Sequence, residues 1–378
     1  MIPVVVAAAR TAVRPTDGEL AGWNPVELAA AVGREVLQSA RLDPSSLDEV
    51  IVGCADPVGA CGANVARAIA LAARWPAHIG GMVIDRAETS GLAAVQTAAA
   101  AIASGQARTV MVVGLGLCSV VPPGAAAVNR IYGAPWGGVA ERFADAGGLL
   151  PAPRLTERAA AAAGISRAEL DAAAEQSRRR RADADPSPAV VAVEARPHPS
   201  ADRGAYRGDP VVSDVIRDWG STAGLPPAFD DDGLLTAASF AVPADAVAAV
   251  LLQAEPAPGI ARITGMGRAA GDPFDPIGEV AAAVAVALRS AGVGLDEIDR
   301  IEVVEHNAAS ALLVAAALNV PAGRVNCDGG AVATGNSCAA EELRLITDGL
   351  GGVGRLLAIS AGPGGSAAAV FDLACQLR

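Results

Sequence analysis

The chain has 378 residues, enough for two ordinary domains or one large duplicated one, and 52% of them are hydrophobic while only 3% are aromatic. Its core must therefore rest on close packing of Ala, Val and Leu. A net charge of -12 excludes the basic footprint of a nucleic-acid surface. No stretch offers the roughly 20 uninterrupted apolar residues of a membrane span, and Met1-Ile2-Pro3 lacks the charged start of a signal peptide, so a cytoplasmic protein is expected. The six cysteines, Cys54, Cys61, Cys118, Cys327, Cys338 and Cys375, form no CxxC pair, so neither a metal site nor a disulfide framework is expected.

Val4 to Ala9 predicts a buried strand and Pro25 to Ala40 an amphipathic helix. Ile84-Asp85-Arg86-Ala87-Glu88-Thr89-Ser90-Gly91 predicts a strand running into a strained turn that opens a long Ala-rich helix. Glu88 then stands at the helix N-terminus, where free N–H groups and the dipole favour negative charge.

Two phrases recur. Leu47-Asp48-Glu49-Val50 returns as Leu295-Asp296-Glu297-Ile298, and Gly91, Ile102 and Gly105 return at one common offset as Gly335, Ile346 and Gly349. Each helix gives way to a strand ending in glycine, Val110 to Gly114 and Leu356 to Gly362. These repeats imply two homologous α/β halves, residues 1–116 and 256–378, each a mixed sheet covered on both faces, stacked into an αβαβα arrangement.

Residues 117–240 differ in composition, with Pro122-Pro123-Gly124, a Gly133-to-Gly138 cluster, one good helix from Arg167 to Arg181 and little periodicity near 197–210. They predict an inserted loop domain that closes back into the N-terminal half by about residue 255. The basic run Arg178 to Arg181 reads either as a solvated helix end or as a contact for an anionic ligand such as a nucleotide phosphate.

In chain order, several segments together resemble the signatures of the thiolase family over essentially the whole sequence. They are Val6-Ala7-Ala8-Ala9-Arg10-Thr11; Ile84-Asp85-Arg86 with Ser90-Gly91-Leu92; Gly114 with Ser119 and Pro122; and Leu225-Pro226-Pro227-Ala228-Phe229 followed by Gly233, Thr236-Ala237 and Asp245. Val325-Asn326, Gly329-Gly330-Ala331 with Gly335, and Ala361 to Gly365 complete the set. The resemblance implies a thiolase-like duplicated αβαβα layered α/β fold with two mixed sheets and an inserted loop domain.

It also implies an acyl-CoA or acyl-carrier thioester as ligand, no permanently bound cofactor, and coenzyme A contacts at Ser239, Gly362 and Gly364. A dimer through the sheet region beside the Glu88 turn follows from it too. That dimer is either a homodimer or a heterodimer with a thiolase homologue, or the chain pairs with a small accessory protein.

In the family a cysteine at the turn attacks the thioester, a histidine after Gly-Gly-Ala activates it, and a second cysteine before the glycine loop moves protons. The matching positions here hold Glu88, Asn336 and Ser360. The family's oxyanion-hole asparagine falls on Val304 in an ungapped alignment, or on Asn307 after a three-residue slip. Its serine near the coenzyme A chain corresponds to Ala241.

A thiolate is a far better nucleophile toward a thioester than a carboxylate, and Ser360 has no basic partner visible in the sequence. The usual cysteine cycle is therefore not expected. Glu88 reads as an anhydride-forming nucleophile or a base, or else as a helix cap or an ion-pair partner of Arg86. His306 reads as a substitute acid or base, or as structural; Cys118 and Cys338 read as chemical or as inert packing. His78 and His198 carry no signal. Two functions stay open: an atypical acyltransferase or carbon-carbon bond enzyme, and a catalytically inactive subunit that shapes an active partner.

Overall fold

The structure, a computed structural model, describes residues 1–128, 133, 137–144, 148, 150–196, 210–220, 222 and 224–373. His198, Cys375 and residues 134–136 of the second Pro/Gly cluster lie outside them.

The N-terminal part runs β1 (Pro3–Arg10), β2 (Arg14–Pro15), α1 (Pro25–Ala40), β3 (Glu49–Gly53), α2 (Val65–Ala72), β4 (Gly80–Ile84), α3 (Ser90–Ser104) and β5 (Thr109–Leu117). Short helices α4 (Ala125–Val128) and α5 (Val139–Arg142) follow, then α6 (Ala152–Ala162), α7 (Arg167–Asp183), and the two-residue strands β6 (Val193–Glu194) and β7 (Pro210–Val211). The chain returns to the sheet as β8 (Ala244–Ala254) and continues through β9 (Ala261–Ala269), α8 (Val280–Ala291), β10 (Arg300–Val303), α9 (Ala308–Ala317), α10 (Ala331–Thr334), α11 (Ala339–Gly349), β11 (Arg355–Gly362) and β12 (Gly365–Asp372).

Local chemistry accounts for the main helix boundaries. Asn24 accepts the Val26 N–H ahead of Pro25 at the start of α1, and Arg41 ends that helix in the left-handed region at φ 54°. Ser166 and Glu169 close a capping box at the start of α7.

The strands form one 10-stranded sheet in the order β10-β11-β12-β9-β1-β8-β5-β3-β4, with β2 on β8. Within each half a parallel strand pairing passes into antiparallel ones: β3 with β5, then β8 and β1; β10 with β11, then β12 and β9. The repeat read from sequence is thus a repeat of topology. The two expected sheets are joined edge to edge, because β1 and β9 meet at Val4↔Arg262 and Val5↔Ala261.

Side-chain alternation along the strands builds the layers. In β3, Val50 and Val52 face a core made with Leu28, Val36 and Ile69 of α1 and α2. Ile51, between them, points the other way, into a core shared by Leu92, Val95 and Ile102 of α3, Leu343 and Ile346 of α11, and Leu252 and Phe371 from the two halves of the sheet. On the far side Val280 and Val284 of α8 and Val314 of α9 cover Ile301, Leu357 and Val370. The order is αβαβα with α3 and α11 innermost. The insertion packs on the C-terminal half through Leu170 and Ala174 of α7 against Ala308, Ala331 and Val332. No helix among the described residues is long and apolar enough to cross a membrane.

Candidate active site

The turn between β4 and α3 is tightly laced. Asp85 accepts the Ala87 N–H at 3.0 Å, and the Ser90 hydroxyl accepts the Arg86 N–H at 2.9 Å while donating to the Ala87 carbonyl at 2.6 Å. These bonds hold Ala87 in the left-handed region at φ 47°, a conformation that costs a non-glycine residue about 1–2 kcal/mol.

Glu88 follows directly. No side chain caps α3, and among the described residues Glu88 forms no ion pair, with Arg86 or any other cation. Its Oε2 is buried without a hydrogen-bond partner. Neither structural role considered for Glu88 is therefore what the geometry displays. The side chain lies against Gly362, where an added Cβ would sit 2.9 Å from both Glu88 Cβ and Oε2. The Ser360 hydroxyl donates to the Glu88 carbonyl at 2.7 Å. Gly364 lies beside the Arg86 carbonyl, so the glycine loop closes over the turn.

Directly behind the turn stands a residue that sequence reasoning passed over. Glu342, on the first turn of α11, is buried, and its Oε2 accepts the Gly91 N–H at the start of α3. A side chain at Gly91 would collide with the Ala339 carbonyl and with this carboxyl group, so the approach of α11 to α3 requires glycine there. Glu342 Oε1 has no partner. Burial pushes its carboxyl up to about 8, tempered by the Leu92 N–H, the Ser360 hydroxyl and the Gly91 N–H, with the Glu88 charge pushing further upward. The available signal was periodicity: Glu342 stands four residues before Ile346 on the core-facing stripe of α11.

His306 and Asn336 complete the arrangement. His306 is buried; its Nε2 donates to the Ala361 carbonyl at 2.8 Å, and its backbone N–H donates to Ser310 Oγ at 3.0 Å. Asn336 Nδ2 donates to the Glu305 carbonyl at 3.0 Å, and its Oδ1 accepts the Cys338 N–H at 2.8 Å. A continuous series of contacts therefore links Asn336, His306, Ser360 and Glu88.

Other candidates are placed differently. Asn307 caps α9 by accepting the Ala309 N–H at 2.9 Å and donates to the Pro153 carbonyl at 2.9 Å, so its amide is spent, and Val304 has none to offer. Ser239 is fully buried; its hydroxyl accepts the Thr236 N–H at 2.9 Å and closes a turn rather than facing a ligand. Ala241 is buried and donates its N–H to the His306 carbonyl at 3.1 Å.

Most of the basic run is engaged by the protein itself. Arg178 donates to the Ala238 carbonyl at 2.7 Å, Arg180 to the Val325 carbonyl at 3.1 Å, and Arg181 pairs with Asp214. Only Arg179 faces solvent, because α7 packs on α10 and needs donors for the carbonyls it covers. Cys118 and Cys338 lie with their sulfurs 3.7 Å apart. The Cys118 thiol and burial together raise Cys338 well above the usual thiol range, which keeps it protonated and a poor nucleophile. No cluster of three metal-ligating side chains occurs among the described residues.

A buried ionic network braces the site from the other face of α11. Arg10 of β1 contacts Asp214 at 2.8 Å and Asp348 at 2.7 Å, and Arg344 joins Asp348 at 3.0 Å and Glu341 at 2.6 Å. One cluster thus ties the first strand, the insertion and α11 together.

Comparison with known proteins agrees with this architecture. The model for the N-terminal thiolase domain matches residues 3–256 and that for the C-terminal thiolase domain residues 257–371. An acetyl-CoA acetyltransferase of Pseudomonas aeruginosa is 34% identical over 365 residues, covering 91% of this chain and 90% of the relative. The steroid 3-ketoacyl-CoA thiolase FadA6 of Mycobacterium tuberculosis is 31% identical over 373 residues, covering 93% and 88%. The crystal structure of human mitochondrial 3-ketoacyl-CoA thiolase superposes with a TM-score of 0.85 at 24% identity over 99% of each chain. Its complex with CoA gives 0.83, covering 98% of this chain and 97% of that one. With the duplicated fold and both domain models matched in order, the chain belongs to the thiolase family.

Proposed function

We propose that this protein binds a coenzyme A or carrier-bound acyl thioester and acts on it without a cysteine nucleophile, as an atypical acyltransferase or carbon-carbon bond enzyme centred on Glu88. The ligand class follows from the relatives, whose names specify acetyl-CoA and 3-ketoacyl-CoA chemistry. The observation that carries the reading is the Glu88 side chain: a carboxylate on the turn opening α3, with one buried oxygen unpartnered, against Gly362 of the glycine loop. An unpartnered buried oxygen costs on the order of 1–3 kcal/mol. A ligand donor, or a proton taken from a substrate, would satisfy it.

In this reading Glu88 is the base or the acyl-accepting carboxylate, and Ser360 fixes its backbone. His306 holds the glycine loop through Ala361. Asn336 anchors the Glu305-His306 segment. None of these residues supplies a thiolate.

A second reading, a non-catalytic subunit beside an active homologue, draws on a different observation: His306, Asn336 and Asn307 direct polar atoms toward the protein itself. Among the described residues the sheet ends at β4, with no strand on its outer edge, and Met82 of β4 is exposed. That edge suits pairing with a second copy or with a related chain.

The test is acetyl-CoA binding by thermal shift on the wild type and on Glu88→Gln. A rise of several degrees with acetyl-CoA, altered in the variant, supports the first reading. No rise at ligand concentrations that saturate an active relative, together with co-purification of a thiolase homologue, supports the second.

A further inference from the structure

Glu342 is a buried carboxyl group with one oxygen on the Gly91 N–H, the other unpartnered, and no ion pair among the described residues. From the turn before α3 comes the Glu88 carboxylate, from α3 the N–H groups of Gly91 and Leu92, and from β11 the Ser360 hydroxyl. On α11 itself, Glu341 and Arg344 turn to each other and to Asp348 and Arg10, and Glu302 of β10 pairs with Arg300.

The direction of the Ser360 hydrogen bond decides what Glu342 must be. A hydroxyl has one proton, and Ser360 spends it on the Glu88 carbonyl at 2.7 Å. Toward Glu342 it can only accept. An oxygen that only accepts complements a carboxylic acid and opposes a carboxylate.

We propose that Glu342 is a positioning residue for Glu88: as a neutral acid it makes no claim on the Ser360 proton and so leaves that hydroxyl turned onto the Glu88 carbonyl. When Glu342 loses its proton to solvent, the Ser360 hydroxyl turns to the new carboxylate. The Glu88 carbonyl is then released, and a second negative charge faces the Glu88 side chain. The switching range lies near the value of about 8 to which burial and the neighbouring charge raise the group. The proposal rests on the reading of the Glu88 turn as the thioester site, and its test separates the two.

The ligand-free protein is titrated first, by infrared difference spectroscopy of wild type against Glu342→Gln from about pH 6 to about pH 10. The expected result is a protonated-carboxyl band at neutral pH that disappears with a midpoint near 8 and is missing in the variant. A carboxylate already ionised at about pH 6 overturns the proposal whether or not coenzyme A binds.

Acetyl-CoA binding is then measured by calorimetry over the same range. Wild-type affinity is expected to fall several-fold above the midpoint. Glu342→Gln, which stays neutral at every pH and whose amide oxygen accepts from Gly91 as the acid does, keeps the low-pH affinity throughout. A variant that retains the wild-type pH dependence overturns the positioning role. Absence of binding at every pH defeats the thioester reading and leaves the infrared titration to decide the state of Glu342.

Discussion

Ser360 and Glu88, 272 residues apart, meet through one hydrogen bond of 2.7 Å from the Ser360 hydroxyl to the Glu88 carbonyl. The bond ties the end of β11 to the turn that opens α3, and the glycine loop extends from it over the Glu88 side chain. Replacing Ser360 by Ala removes this tie while leaving the packing volume nearly unchanged. The expected cost is about 1 kcal/mol of stability, read as a shift in the urea midpoint, with any acetyl-CoA thermal shift reduced.

Placing a thiol on the turn is not expected to create a thiolase. In Glu88→Cys the new sulfur would lie against Gly362, with Ser360 already bonded to the residue's carbonyl and no histidine among the groups that contact Glu88, and parts of a cooperating set do little singly. Acetoacetyl-CoA cleavage by this variant should stay at least about a hundredfold below the ~10 per second of a typical enzyme.

The pH dependence of stability follows from Glu342. Its folded-state value, about 8, lies above the ordinary 4.5, so the native state holds a proton that the unfolded chain releases. The contribution is fully present below about pH 4.5 and is lost as pH rises toward about 8. Full expression of that shift corresponds to on the order of 5 kcal/mol. Urea unfolding at about pH 6 and about pH 9 should show wild type losing more stability across the interval than Glu342→Gln.

At the other end of the pH scale the ionic network dominates. Arg10 and Arg181 hold the Asp214 carboxyl far below the usual carboxylate range despite its burial. Stability from Asp214 is thus present above its unfolded value near 3.9 and is lost as pH falls below it. Arg10→Ala leaves Asp214 and Asp348 buried with fewer cations and should cost about 3–5 kcal/mol. Because Asp214 belongs to the insertion, the variant should also become more susceptible to limited proteolysis there.

Gly91→Ala tests the contact between the two innermost helices. The added methyl meets the Ala339 carbonyl and the Glu342 carboxyl, and backbone cannot swing aside. A loss of about 1–3 kcal/mol is expected in the urea midpoint.

Much of the architecture was legible in the sequence for reasons that the structure makes plain. Gly91 and Gly335 shared an offset with Ile102 and Ile346, and the helices carrying those isoleucines, α3 and α11, share one core between the two halves of the sheet. The strained turn was legible because Asp85, Ser90 and a helix start stood in the right order. The joining of the two sheets was not, since it rests on two residue pairs between β1 and β9.

The site was less legible than the fold. Glu342 reads in sequence as one of two adjacent acids on an amphipathic helix, and only its contact with Gly91, 251 residues away, makes it a buried acid. Ser239 reads as a polar group near the ligand, yet its hydroxyl is consumed by its own turn. The Arg178 to Arg181 run reads as an exposed charge, yet it serves carbonyls and carboxylates that other elements bring to it.

Acetoacetyl-CoA cleavage by the purified wild-type protein, with free coenzyme A present, tests most directly whether this site works without a thiolate. Glu88 on the turn and a Cys338 thiol kept protonated by burial beside Cys118 predict no cleavage above background. Turnover within about tenfold of ~10 per second, abolished by iodoacetamide, would contradict the account.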